Sequence, residues 1–138
     1  MNTENTRIAI IVNPDLPLGL IANTVAALSI GIGAAAQELG GAFLTDMDGR
    51  TVRTSSNRPV PILQAPPEAL NALLQRAQTV DGAIVVPFPR FARSLHQFEQ
   101  YLAEFPQRAL TKEIIDGVGL YGSDKWIRSL TGSLKLLR

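Results

Sequence analysis

The spacing of apolar and polar positions changes several times along this chain, and each change marks an element. Ile8 to Val12 is a run of Ile, Ala and Val without polar alternation, which predicts a central strand covered on both faces. Met1 to Thr6 precedes it as a polar lead-in. Asn13, Pro14 and Asp15 then force a turn, because proline lacks an amide hydrogen and Asn or Asp can bond nearby backbone amides. From Leu16 to Ala36 no side chain is charged, and Leu20, Ile21, Val25, Leu28 and Ile32 recur at helical spacing. That pattern predicts a buried helix, broken near Gly31 and Gly33 and stopped by Gly40 and Gly41. Pro17, Gly19, Asn23, Thr24 and Ser29 make the stretch too polar and too interrupted for a membrane span.

Ala42 to Thr45 and Thr51 to Thr54 flank Asp46-Met47-Asp48-Gly49, where Asp-Gly is a strong two-residue hairpin signal. Pro59 to Gln64 predicts a strand beside the first, its prolines restricting pairing to an edge or to its opening residues. Pro66 and Pro67 suit a first helical turn, and Leu70, Leu73, Leu74 and Ala77 place an apolar stripe on a helix running to Gln78. Ala83 to Val86 predicts another covered strand, stopped by Pro87 and Pro89. Phe91, Leu95, Phe98, Leu102 and Phe105 then follow the seam of one amphipathic helix and are assigned to the core. Val118 to Tyr121 predicts a last strand, and Ser123 caps a helix through Trp126, Ile127 and Leu130. Alternating strands and helices give an α/β class and, at 138 residues, one domain spanning 1–138.

Composition narrows the chemistry. With 13 Lys plus Arg against 12 Asp plus Glu the net charge is +1, so no global field attracts a polyanion and nucleic acid is a disfavoured partner, although tRNA is not excluded. The chain has no cysteine, which removes disulfides, thiolate catalysis and Cys-ligated zinc. Glu4 and the short apolar run ending at Asn13 do not make a secretory signal, so a cytoplasmic location is expected. Gly31, Gly33 and Ala36 match a dinucleotide fingerprint only in spacing; the strand lies far upstream, and Arg50 and Arg53 stand where the ribose carboxylate belongs. Asp46, Asp48 and Gly49 fail as a calcium loop, with Arg50, Thr51 and Asn57 at positions needing a ligand, a glycine and a glutamate. No metal and no cofactor are expected.

Two stretches resemble the peptidyl-tRNA hydrolase II family. The first is Ile8 to Ala27, with Asp15-Leu16, Gly19, Ile21-Ala22 and a helix of small residues. The second is Gly117-Val118-Gly119-Leu120-Tyr121-Gly122, followed by Lys125, Ile127 and Thr131 to Leu137, which is similar to the family's last strand and its Thr-Gly-x-Leu-Lys-Leu ending. Arg58 to Gln64 and Pro67 to Ala77 fall where the family has its second strand and next helix. The pattern looks closer still to a group of uncharacterised bacterial proteins sharing that fold. The resemblance implies a three-layer domain, with a mixed four-stranded sheet and helices on both faces. The family's lysines, glutamine and histidine along the first helix are replaced by Leu20, Thr24 and Ala27, and its Asp-Ala-Gly-Arg-Thr loop by Pro87-Phe88-Pro89-Arg90-Phe91.

The remaining chemistry gathers on few side chains. Asp15, at the carboxyl end of the first strand, is the catalytic candidate, with a turn or helix-cap role as its structural counterpart. Asn23 faces the same crevice or bonds the backbone. Arg90 and Arg93 together suit an anionic ligand through planar, bidentate contacts, or are a solvated pair. His96, the single histidine, sits beside the apolar seam as a weak acid–base or ligand candidate. Tyr121 and Trp126 either floor a pocket or fill the core. Two functions follow: a small-molecule-binding domain using the crevice by Asp15 and Asn23, or a hydrolase of the peptidyl-tRNA type with a rearranged site. Apolar residues on more than one side of the first helix add the expectation of a homodimer.

Overall fold

The computed structural model describes residues 5–77 and 81–138. The lead-in at 1–4 and the helix end expected at Gln78 lie outside them. The strand β1, Thr6–Val12, forms the middle of a five-stranded mixed sheet, and its ladder already begins within the expected polar lead-in. Its side chains alternate between two cores. Ile8, Ile10 and Val12 pack with Leu28 and Ile32 of helix α1, Leu18–Ala35. Ala9 and Ile11 pack on the opposite face with Leu70 and Leu73 of α2, Pro67–Arg76, and with Ile127 and Leu130 of α4, Asp124–Thr131. Burial on both faces explains why the run carries no polar residue.

The hairpin strands β2, Phe43–Thr45, and β3, Thr51–Arg53, form a separate two-stranded sheet in which every strand residue is exposed. Its loop holds five residues and not the two expected of Asp-Gly, because Asp46 closes it, its carboxylate accepting from the amides of Asp48 and Arg50 at 2.9 Å each. Gly49, with φ +86°, supplies the left-handed turn position predicted for Asp-Gly. In the main sheet β4, Ile62–Gln64, runs parallel to β1, pairing only after Pro59 and Pro61. β6, Ile115–Ser123, lies antiparallel on the other side of β1 and pairs along all of it. β5, Ile84–Pro89, is an edge strand that continues through Pro87 and Pro89 instead of stopping there, because an edge tolerates missing donors. Ser123 caps α4 as predicted, its hydroxyl accepting from the Trp126 amide at 3.2 Å.

Three expectations are corrected. The sheet has five strands instead of four, because Leu134 to Leu137 returns alongside β4 and Lys135–Leu136, β7, pairs with Gln64 and Leu63. The helix α1 is not buried all round; only Thr24, Leu28 and Ile32 are covered, since the sheet meets one stripe at every fourth residue, and Leu18 and Ile30 are exposed. By length and composition α1 is the one described helix that would be apolar enough to cross a membrane, yet it lies packed along this sheet. The seam from Phe91 to Phe105 is not one helix. Arg90–Ser94 is a 3₁₀ turn, Leu95 is extended, and α3 spans only Phe98–Glu104, so the helical phase resets and Phe98 and Leu102 face outward. Phe91 stacks instead on Tyr101, with centroids 5.7 Å apart, and Phe105 adjoins both.

Glycines let α1 approach the sheet. A Cβ on Gly117 would lie 2.7 Å from Thr24 Cγ2 and 2.9 Å from Leu28 Cδ1. Thr24 cannot turn aside, since its hydroxyl donates to the Leu20 carbonyl at 2.7 Å and accepts from Arg93 at 2.6 Å. Gly117→Ala is therefore expected to cost about 1–3 kcal/mol, read as a lower urea midpoint with an unchanged slope. Gly33→Ala, on α1 with nothing within 4 Å of the new methyl, is expected to be neutral or to stabilise by up to about 1 kcal/mol.

Candidate functional site

At the carboxyl ends of β1 and β5 the two ladders fall out of step. Phe88 pairs with Gly117, but Pro89 pairs with Ile115, which leaves Asp116 as the extra residue on β6. Such a bulge re-aims one side chain of a strand. Here it places a carboxylate with 0% exposure among donors from two other segments. Asn13, just past β1, donates its backbone amide to the Asp116 carbonyl at 3.0 Å and its side-chain Nδ2 to Asp116 Oδ1 at 3.1 Å. Its own Oδ1 accepts from the Asp15 amide at 3.0 Å, which orients the side-chain amide and shapes the turn.

The two arginines come from the 3₁₀ turn after β5. Residues three apart eclipse on such a turn, so Arg90 and Arg93 reach the same point. Arg90 grips Asp116 in bidentate fashion, Nε to Oδ2 and Nη2 to Oδ1, both at 2.9 Å. Arg93 Nη1 donates to Oδ2 at 2.5 Å, and its Nη2 donates to the Thr24 hydroxyl, tying the cluster to α1. The Arg93 guanidinium also lies 4.8 Å from the centre of the Phe88 ring. Its Nε, among the described residues, is the buried side-chain polar atom without a hydrogen-bond partner.

Asp116 is thus ionised and saturated. Burial alone would raise its pKa, but the hydrogen bonds from Arg90, Asn13 and Arg93 outweigh burial and hold it below the usual carboxylate range. Arg90 is raised in turn, chiefly by its bond to Asp116. With each carboxylate oxygen taking two donors, Asp116 has no lone pair free to remove a proton from water; it is an anchor. Two guanidinium charges against one carboxylate leave the cluster at net +1, with the Arg93 side chain 17% exposed and that of Arg90 47% exposed.

Beside the cluster, α1, β5 and the segment leading into α3 line an open, largely apolar cavity of about 570 Å³, walled by Leu28, Val86, Phe88, Ala92 and Tyr101, with His96 at its lining. Burial pushes the Tyr101 phenol up, so this wall stays neutral. Another cavity, of about 660 Å³, lies away from the cluster between the end of α1 and the base of the hairpin. Among the described residues no group of three or more His, Cys, Asp or Glu side chains comes together.

The sequence candidates divide accordingly. Arg90 and Arg93 do grip an anion together, and it is the chain's own Asp116, so neither is a merely solvated side chain. Asp15 and Asn23 are exposed, Asp15 entering the network only through its backbone amide. His96 is exposed, with its amide bonded to Gln100, and borders the cavity. Tyr121 is core, its hydroxyl donating to Glu38 at 3.0 Å, and Trp126 packs over Gly122. Asp116, Thr24 and Asn13 escaped notice as site residues. One signal was present: a single charge inside the apolar run Ile114 to Leu120.

Removing the anchor leaves two arginines crowded without a counter-ion. Asp116→Ala is expected to cost about 3–5 kcal/mol in chemical denaturation at neutral pH. Because folding lowers the Asp116 pKa, its stabilisation is complete above the unfolded-chain value of about 3.9 and is lost as pH falls through the lower folded value. The difference between wild type and Asp116→Ala should therefore be constant through neutral pH and shrink below about pH 4.

The same architecture occurs elsewhere. A protein of unknown function from Agrobacterium tumefaciens strain C58 superposes with a TM-score of 0.87 over 96% of this chain and 97% of that chain, at 23% sequence identity. At that identity the likeness establishes the fold alone. No curated protein is similar to the chain. The match that defines kinship is to a family model described as a protein of unknown function, DUF2000, which covers residues 6–138. Matched over nearly its whole length, this chain belongs to the DUF2000 family.

Proposed function

We propose that the chain is a small-molecule-binding domain on a peptidyl-tRNA hydrolase II-like scaffold, with its ligand held at the carboxyl edge of β1 and β5. One observation carries this reading: a net-positive arginine cluster opens beside a preformed apolar cavity of about 570 Å³, within the range of small-ligand sites. Crevices beyond strand carboxyl ends are where α/β sheets usually bind ligands. The two stretches that resemble the hydrolase family, Ile8 to Ala27 and Gly117 to Leu137, contribute β1 with α1 and β6 with α4 and β7; β1 and β6 are neighbours in the sheet, and β7 lies beyond β4. A hydrolase acting on peptidyl-tRNA needs an activated water and cations for phosphates. Leu20, Thr24 and Ala27 offer no cation at the family's positions, and Asp116 is saturated.

Asp15 favours the second reading, a rearranged hydrolase, because its exposed carboxylate stands at the same edge and is free to orient water. The two separate cleanly. Titration of isotope-labelled protein with neutral, acidic and basic fragments should move amide signals of residues 84–101, and the purified protein should release no tRNA from peptidyl-tRNA. Release by the wild type that Asp15→Asn abolishes would replace the binding reading with the hydrolase. The same proposal keeps the chain cytoplasmic and dimeric, the second copy covering the uncharged outer face of α1 around Leu18; a monomeric mass by light scattering at micromolar concentration would remove the dimer.

A further inference from the structure

Resting on the binding reading, the cavity beside the arginine cluster specifies the chemistry of its occupant. Three features converge. The cluster holds one uncompensated positive charge, so one negative charge on a ligand neutralises it, whereas a second would face the buried Asp116 carboxylate. The donors are planar guanidiniums, which match a planar carboxylate edge to edge. Arg93 Nε, buried and without a partner among the described residues, is a donor in want of an acceptor. The same guanidinium stacks on Phe88, and Phe88 walls the cavity, so the polar and apolar parts of the site are contiguous. Beyond Phe88 the wall includes Leu28, Val86, Ala92 and Tyr101, with polar side-chain groups at His96, Gln97 and the Tyr101 hydroxyl.

We propose that this site binds a small monocarboxylic acid with an aromatic or branched apolar body, its carboxylate on Arg90 and Arg93 and its body against Phe88 and Tyr101. Arg90 is the more exposed of the two, and Arg93 adjoins the cavity through Phe88, over whose ring its guanidinium lies. Thr24 and Asp116 position Arg93.

The test uses three probes of similar size on the full chain: phenylacetate, phenylacetamide and phenyl phosphate, each titrated by calorimetry and by amide chemical shifts. Phenylacetate should bind at the cavity, at least about tenfold tighter than the amide, because a charge-assisted bond replaces a neutral one. Arg90→Gln should weaken phenylacetate by about tenfold or more. Ala27→Trp, which touches no member of the cluster but fills the cavity from α1, should abolish binding and keeps the test decisive if Arg90→Gln does not fold. Equal binding of acid and amide, tighter binding of the phosphate, or phenylacetate binding that Ala27→Trp leaves intact would each overturn the carboxylate assignment. If none of the three binds, the assignment falls as well; the broader binding reading then stands only if other fragments still move the signals of residues 84–101.

Discussion

A carboxylate without solvent contact, Asp116, is the constraint to which the carboxyl edge of this sheet conforms. Taking such an ion out of water costs several kcal/mol, and only a full set of well-placed donors offsets that cost. Every nearby feature serves that need. The bulge turns the side chain inward, the 3₁₀ turn aligns the arginines, Asn13 closes the remaining direction, and Thr24 fixes Arg93 from the helix side. One ion therefore couples β1, β5, β6 and α1, and α1 and β5 are also the elements that line the open cavity beside it. Gly117, next to Asp116, gives Thr24 the room to approach.

The elements whose partners are local, or whose burial is symmetrical, could be read from the chain alone. Ile8 to Val12 shows both covered faces in its composition, Asp48-Gly49 its turn, and Ser123 its cap. What could not be read depends on partners distant in sequence. Asn13 and Asp116 are 103 positions apart, and nothing in the spacing of either points to the other. Arg90 and Arg93 were visible as a pair, but their anion was not, because the last strand was expected to begin at Val118 whereas its ladder starts at Ile115. The helix expected from Phe91 to Phe105 failed for a different reason. The apolar residues share one helical period, but Leu95 is extended, and Gln100 accepts from the amides of His96 and Gln97 to begin a new helix with its own phase. In α1 the absence of charge marked a helix correctly and its burial wrongly, since small residues on the outer face look like core residues in a list of letters.

Asp15 illustrates how far a motif carries. Its place after β1 follows from the Asn-Pro-Asp turn, and the turn follows from Asn13, whose side chain bonds Asp15 and Asp116 at once. Turn geometry alone gives Asp15 a structural role, while the positive charge of this edge resides in Arg90 and Arg93, which stand where the resembling family has its Asp-Ala-Gly-Arg-Thr loop.

Both ends of the sheet order have a consequence for how copies of this chain meet. At one end β5 contains Pro87 and Pro89, which supply no amide donors; at the other, β7 is only two residues long. A free sheet edge is a template on which another strand can grow, and proline or brevity removes the template. Extension of the sheet from molecule to molecule, the first step toward a fibril, is thereby discouraged at either border, and this chain can expose an uncharged helix without also inviting runaway strand addition.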